Sequence, residues 1–273
     1  MKPALSPGGL IAGRACFLGR APLILTAKRV AFLDPEAARG GDPSRIAGLS
    51  QGAHISADTM LDRRLQMVNG QLRTGGVVDK AVLAAFLEVA RQRFVAPEHA
   101  SLAYLDRELP ARGAKVRRLL APMVLARILQ AATVVPSDRA LDVAGGSGYG
   151  AAILATMGAK VVMLESDVGA AEAAKAELHG RANVTVVVGA LDSGAAGLGP
   201  FNLIVVEGAF GVFPDRLVAL LADPGRLVGI DASSAQSQAV MYEKTGGAIS
   251  RRALFETKAD LLDGFRPGVS FAF

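Results

Sequence analysis

Tryptophan is absent, there is one cysteine, Cys16, and the three histidines, His54, His99 and His179, lie far apart. A single cysteine excludes an internal disulfide and a cysteine-based zinc cluster, and the scattered histidines argue against a histidine metal site, so no metal is expected. Aromatic residues make up only 5% of the chain, which argues against an aromatic-rich binding surface. No apolar run reaches the roughly 18 residues that a spanning helix needs. The nearest, residues 21–26 and 184–188, are strand length, so the chain is expected to be soluble, with no membrane partner. What is present is 51% hydrophobic residues and 20% charged ones over 273 residues, enough to bury a core and to exclude disorder throughout.

The net charge of +5 is unevenly placed: seven bases face four acids up to residue 59, and 23 face 21 beyond it. Half or more of the excess therefore sits in a stretch without folding signals, and the sequence predicts no stable nucleic-acid partner. Residues 1–59 are rich in Gly, Ala, Pro and Arg, with Pro3, Pro7, Pro22, Pro35 and Pro43 breaking any period. They read as a disordered or mis-assigned extension. A targeting peptide is the alternative, since the first 33 residues hold five bases and no acid, but Arg14 and Arg20 interrupt the apolar stretch a secretory signal needs.

From Met60 the pattern changes. Leu61, Leu65, Val68 and Leu72 fall near helical spacing, and Asp79 stands as an N-cap before an apolar stripe of Val82, Leu83, Phe86, Leu87 and Ala90. Pro122 fits the first turn of a helix ending at Ala132. Residues 60–135 are thus predicted to form a helical cover over a core at 136–273. In that core, apolar runs at 140–143, 161–164, 184–188, 203–206 and 227–230 read as buried strands, alternating with helical patterns at 150–157, 170–178 and 215–221. The alternation predicts an α/β, doubly wound, mostly parallel sheet. Stretches 239–244 and 249–255 flank Thr245-Gly246-Gly247 with no helix between them, which predicts an antiparallel pair on the edge and seven strands in all.

One motif carries chemistry. Asp142-Val143-Ala144-Gly145-Gly146-Ser147-Gly148-Tyr149 follows a predicted strand and opens a helix, where glycines let the backbone turn tightly and free N–H groups face a ligand. A tight strand-to-helix turn without a ligand is the plainer reading. Glu165 ends the next strand, where a carboxylate can accept bonds from both hydroxyls of a ribose or stand solvated at a strand end.

At these residues the chain resembles the class I S-adenosylmethionine-dependent methyltransferases, with a Rossmann-like fold, and within them the protein-L-isoaspartate O-methyltransferase family. Arg93-Phe94-Val95-Ala96-Pro97, Ala103-Tyr104-Leu105-Asp106 and Leu109-Pro110 are similar to that family's N-terminal cover, Ser147-Gly148-Tyr149 to its cofactor loop, and Asn183-Val184-Thr185-Val186 and Pro224-Gly225-Arg226-Leu227-Val228 to later segments. Ala144 stands where the family usually has its first glycine. The resemblance implies S-adenosylmethionine as cofactor, with its amino-acid portion near Asp142, Ala144, Gly146 and Gly148, its ribose on Glu165 and its adenine near Gly189 and Ala190. It further implies a protein or peptide bearing isoaspartyl residues as partner, a role in protein repair, and a cytoplasmic monomer. At the adenine position the family commonly has an acid, whereas this chain has Ala190 and places Asp192 two residues later.

The acceptor side departs further. Arg118-Leu119-Leu120-Ala121-Pro122 stands for the family's Thr-Ile-Ser-Gln-Pro type segment, so Leu120 occupies the serine position. Glu207-Gly208-Ala209 stands for a Thr-Ala-Ala type segment and is expected to aim a carboxylate at the methyl-transfer cleft. Such a charge opposes a carboxylate acceptor and suits an amine or hydroxyl, unless Arg117 or Arg118 pairs with it. Isoaspartyl peptide is therefore expected to be a poor substrate, with Glu207 and Leu120 as the catalytic-site positions. Lys115, Arg117 and Arg118 read either as a clamp for an acceptor carboxylate or as a solvated face. Methylation of RNA or of a small molecule, and a cofactor-binding homologue without catalysis, are the alternative functions.

Overall fold

The computed structural model describes residues 57–267, all within one compact unit spanning His54–Phe273. The extension expected at 1–59 lies almost wholly outside the described residues. Helix α1 occupies Ala57–Gln66, so the folded pattern begins a turn before Met60, and its axis continues as a π-helical turn over Met67–Leu72. Helix α2, Lys80–Glu88, starts at Asp79, whose side chain accepts from the N–H groups of Ala81 (2.8 Å) and Val82 (3.1 Å) and so satisfies two of the first-turn donors. Short 3-10 turns at Arg91–Arg93 and Pro97–Leu102 lead to a small antiparallel hairpin, β1 (Leu109–Pro110) and β2 (Arg118–Leu119). Helix α3 then runs Pro122–Ala132, with proline in its first turn as expected.

The remainder forms β3 (Arg139–Val143), α4 (Tyr149–Thr156), β4 (Lys160–Glu165), α5 (Val168–Glu177), β5 (Val184–Val188), β6 (Phe201–Phe210), α6 (Asp215–Ala219), β7 (Leu221–Asp231), β8 (Gln238–Thr245) and β9 (Ala248–Glu256). These strands make a seven-stranded sheet ordered β5-β4-β3-β6-β7-β8-β9, parallel through β7 and antiparallel beyond it. The five strands of the parallel part and the antiparallel pair β8–β9 fall where the sequence placed them. One expectation is corrected: β5 is not buried but half-exposed along its length, because it is the sheet's open edge. Its valine-rich run reads as a central parallel strand in one dimension, although only one flank has a neighbour.

Helix α4 is buried from Tyr149 to Ala155, sandwiched between the sheet and the cover, and Phe86 of α2 meets Tyr149 edge-on at 5.9 Å. The cover thus shares a hydrophobic cluster with the core. The chain steps outward in opposite senses from the middle of the sheet, β3 leading through α4 to β4 on one side and β6 through α6 to β7 on the other. In an open α/β sheet, ligands bind in the crevice at the carboxyl ends of the strands where this switch occurs. No helix among the described residues is long and apolar enough to cross a membrane.

Candidate cofactor and acceptor site

Asp142, near the end of β3, and Glu207, in a bulge within β6, face each other at that switch point. The bulge that positions Glu207 is visible in the register: Val205 pairs with Val228 and Ala209 with Ile230, so β6 carries two extra residues there. Bulges of this kind re-aim side chains beside functional sites. Gly208 in the bulge lies hard against Leu262, and the N–H of Ala209 donates to the carbonyl of Asp260.

Neither carboxyl is exposed, and none of their four oxygens makes a hydrogen bond of standard geometry to the rest of the chain. Burial pushes Asp142 up from 3.8 to about 7, offset partly by its contact with Glu207 and reinforced by Glu165. Glu207 is pushed well above the usual carboxylate range, first by burial and then by the charge of Asp142, against a smaller opposing pull from the buried guanidinium of Arg91. Burial and their mutual charge oppose the ionisation of both carboxyls at once and so favour one proton retained by the pair. Its side chain fills the space beside α4 left by Gly150, where an added Cβ would lie 1.6 Å from Oε1.

Glu207 lines the cleft with its side chain turned against α4, where burial and Asp142 oppose the negative charge expected of it. Nor does it pair with an arginine of the hairpin: Arg117 goes to Glu165 and Arg118 to Glu108, at 3.2 and 3.6 Å.

The loop after β3 has the backbone that the motif demands. Ala144 (φ 63°), Gly146 (60°) and Gly148 (95°) are all left-handed, and the N–H of Ala144 donates to the carbonyl of Leu164 at 2.9 Å. Alanine in that region costs about 1–2 kcal/mol that glycine does not. The hydroxyl of Ser147 donates to the carbonyl of Phe94, tying the loop to the cover.

Glu165 is fully buried at the end of β4. It accepts from the N–H groups of Gly146 (2.8 Å), Ser166 (2.8 Å) and Asp167 (2.9 Å) and from the guanidinium of Arg117 (3.2 Å). Gly189 and Ala190 follow β5 at the rim. Gly189 donates to the carbonyl of Glu165 at 3.0 Å, and Ala190 is exposed. Asp192 is engaged by Arg216 at 2.6 Å and does not stand free beside them.

Leu120 is buried in the wall of a narrow cleft, with Arg117, Arg118, Glu108, Glu207 and Asp260 among the residues around it. Glu108 is pushed up by burial and by Asp260, against the pull of Arg118. Lys115 is exposed, in keeping with a solvated loop face, whereas Arg117 and Arg118 are half-buried. Arg91 escaped sequence reasoning. It is completely buried, donates to the carbonyl of Leu120 at 2.9 Å, and lies 5.5 Å from the ring of Tyr149, pinning the cover to the acceptor wall. No spacing rule marks a lone arginine after a helix, so only tertiary contacts reveal it.

The family model for protein-L-isoaspartate(D-aspartate) O-methyltransferase matches residues 62–258. A protein-L-isoaspartate O-methyltransferase of Koribacter versatilis (strain Ellin345) is 34% identical over 194 residues, 70% of this chain and 86% of that protein. One of Gloeobacter violaceus (strain ATCC 29082 / PCC 7421) is 36% identical over 195 residues, 70% of this chain and 94% of that protein. In fold, the chain is similar to a putative protein-L-isoaspartate O-methyltransferase beta-aspartate methyltransferase of Plasmodium falciparum, solved with S-adenosyl-L-homocysteine. That likeness has a TM-score of 0.64 at 22% identity and covers 72% of this chain and 97% of that one. With the cofactor loop, the acid after β4, the cover and the antiparallel edge all in place, the chain belongs to the protein-L-isoaspartate(D-aspartate) O-methyltransferase family and is an S-adenosylmethionine-dependent methyltransferase.

Proposed function

We propose that this chain transfers a methyl group to the free carboxylate of an L-isoaspartyl residue in a protein or peptide, a reaction of protein repair carried out by a cytoplasmic monomer. The observation that carries the choice of acceptor is the burial of Glu207 against Gly150 and Asp142, which opposes its ionisation. A neutral acid in the cleft wall removes the like-charge penalty that a carboxylate acceptor would otherwise meet. A protonated carboxyl is also too weak a base to take the proton of an amine or hydroxyl.

The residue set fits S-adenosylmethionine. The two oxygens of Asp142 lack standard hydrogen-bond partners at the crevice, the loop through Gly146 and Gly148 brings backbone close without side chains, and Glu165 ends the neighbouring strand. Asp142, Ala144, Gly146 and Gly148 would hold the amino-acid portion, Glu165 the ribose, and Gly189 with Ala190 the adenine. When bound, the cofactor supplies an electrophilic methyl group on a sulfonium. A carboxylate is already a nucleophile, so the chain's own contribution is alignment and a dry wall, formed here by Leu120 and Leu262. The test is methyl transfer from labelled S-adenosylmethionine to two peptides that differ only in an isoaspartyl or aspartyl linkage. Label is expected on the first alone, and equal labelling of both, or of neither, contradicts the assignment.

A further inference from the structure

The β1–β2 hairpin lies across the glycine loop and is fastened at several points. The N–H of Lys115 donates to Asp167 at 2.8 Å, and Gly113 is so close to Gly169 that a Cβ on Gly113 would lie 2.5 Å from the Gly169 carbonyl oxygen. A Cβ on Gly146 would meet Ala111, Leu119 and the Cγ of Arg117 at 3.1–3.3 Å. Arg117 ends this arrangement on Glu165: Nε reaches both carboxylate oxygens at 3.2 and 3.3 Å, and Nη2 reaches Oε1 at 3.2 Å. With its side chain only 10% exposed over a fully buried partner, this is an enclosed ion pair rather than a surface contact.

Glu165 has more donors than it can keep once a ribose binds. A carboxylate offers about four lone-pair sites, and Glu165 already receives three backbone N–H groups besides Arg117. The backbone donors are fixed by the loop and by the start of α5. Arg117 alone comes from a separate hairpin with two-residue strands, so it is the donor that can leave when two ribose hydroxyls arrive. The same guanidinium lines the acceptor cleft with Leu120 and Glu207.

We infer that Arg117 is a positioning residue shared by the two halves of the site: it latches the hairpin onto Glu165, and release by the ribose frees its charge for the acceptor carboxylate. The inference rests on the function proposed above and adds an order to it, cofactor first and acceptor second.

Calorimetric titration of the full chain with S-adenosylhomocysteine, which needs no turnover, tests this in wild type, Arg117→Met and Arg117→Lys. Arg117→Met is expected to bind about tenfold more tightly than wild type, the scale of one charge-assisted bond no longer surrendered. Should Arg117→Met melt far below wild type, Arg117→Lys, which keeps the charge without the fork, is expected to give a smaller gain in the same direction. Anisotropy of a labelled isoaspartyl peptide adds a second readout. Wild type is expected to bind it at least severalfold better with S-adenosylhomocysteine present, and Arg117→Met to bind it weakly under both conditions. Weaker or unchanged cofactor binding in both variants, or peptide affinity in wild type indifferent to S-adenosylhomocysteine, overturns the inference. No saturable binding by any of the three proteins overturns the cofactor site itself, and the inference with it.

Discussion

Replacing Glu207 by Gln separates a buried acid from a buried neutral group of the same shape. In the native state Glu207 holds its proton well above the usual range because burial and Asp142 oppose its charge. In the unfolded chain it titrates near 4.3. Below that value both states are protonated and the group has no effect on stability. Above it the unfolded chain releases a proton that the native state keeps, so the native state loses about 1.4 kcal/mol for each pH unit until its own pKa is reached. The loss grows as pH rises above about 5, and the uncharged amide of the variant escapes it. Asp142, Glu165 and Arg91, the charged groups facing Glu207, remain in both proteins and enter the difference only through their response to the substitution. For a domain of this size each 1 kcal/mol corresponds to roughly 2–4 °C. Thermal melts followed by circular dichroism at pH 5, 6 and 7 should show Glu207→Gln gaining on wild type with each step. Parallel melting temperatures across that range would refute the protonated Glu207, and with it the argument for a carboxylate acceptor.

Three further substitutions probe the frame around the site. Gly150→Ala drives a methyl group into the Glu207 carboxyl and should cost about 1–3 kcal/mol, most of it recovered in a Glu207→Ala background; additive effects in the double-mutant cycle would show that the two do not touch. Ala144→Gly relieves a left-handed alanine and should raise urea stability by up to about 1 kcal/mol, whereas a clear loss would mean that the Ala144 methyl packs more strongly than its backbone is strained. Arg226→Met leaves Asp138, which Arg226 holds at 2.7 and 3.1 Å, buried without its partner. It should lower stability by about 3 kcal/mol while leaving the S-adenosylhomocysteine Kd unchanged, and a matching change in affinity would show that this end of the sheet communicates with the site.

The sheet was legible in the sequence because its signals are local. Apolar runs of strand length, a proline at the start of α3, Asp79 before α2 and three near-consecutive glycines after β3 each act through neighbours a few residues away. The failures concern what lies across space. The half-exposure of β5 depends on its having, among the described residues, a strand on one flank alone, which valines at 184, 186, 187 and 188 cannot announce. The state of Glu207 depends on Asp142 and Gly150, both more than fifty residues away in the chain, and on a two-residue bulge whose register only the paired strand reveals. Arg117 offered two readings as a sequence feature, a clamp or a solvated face. The ion pair with Glu165 is neither until the hairpin is folded over the loop.

The central claim, methyl transfer to an isoaspartyl carboxylate, is tested most directly by locating the methyl group in the product. An isoaspartyl linkage runs the backbone through the side chain and leaves the α-carboxylate of that residue free. Mass spectrometry of an isoaspartyl peptide incubated with the full chain and S-adenosylmethionine should map one added methyl group to that carboxylate, as an ester lost in mild base. A base-stable methyl group on an amine or hydroxyl of the peptide, or none on any residue while S-adenosylmethionine is bound, would contradict the account.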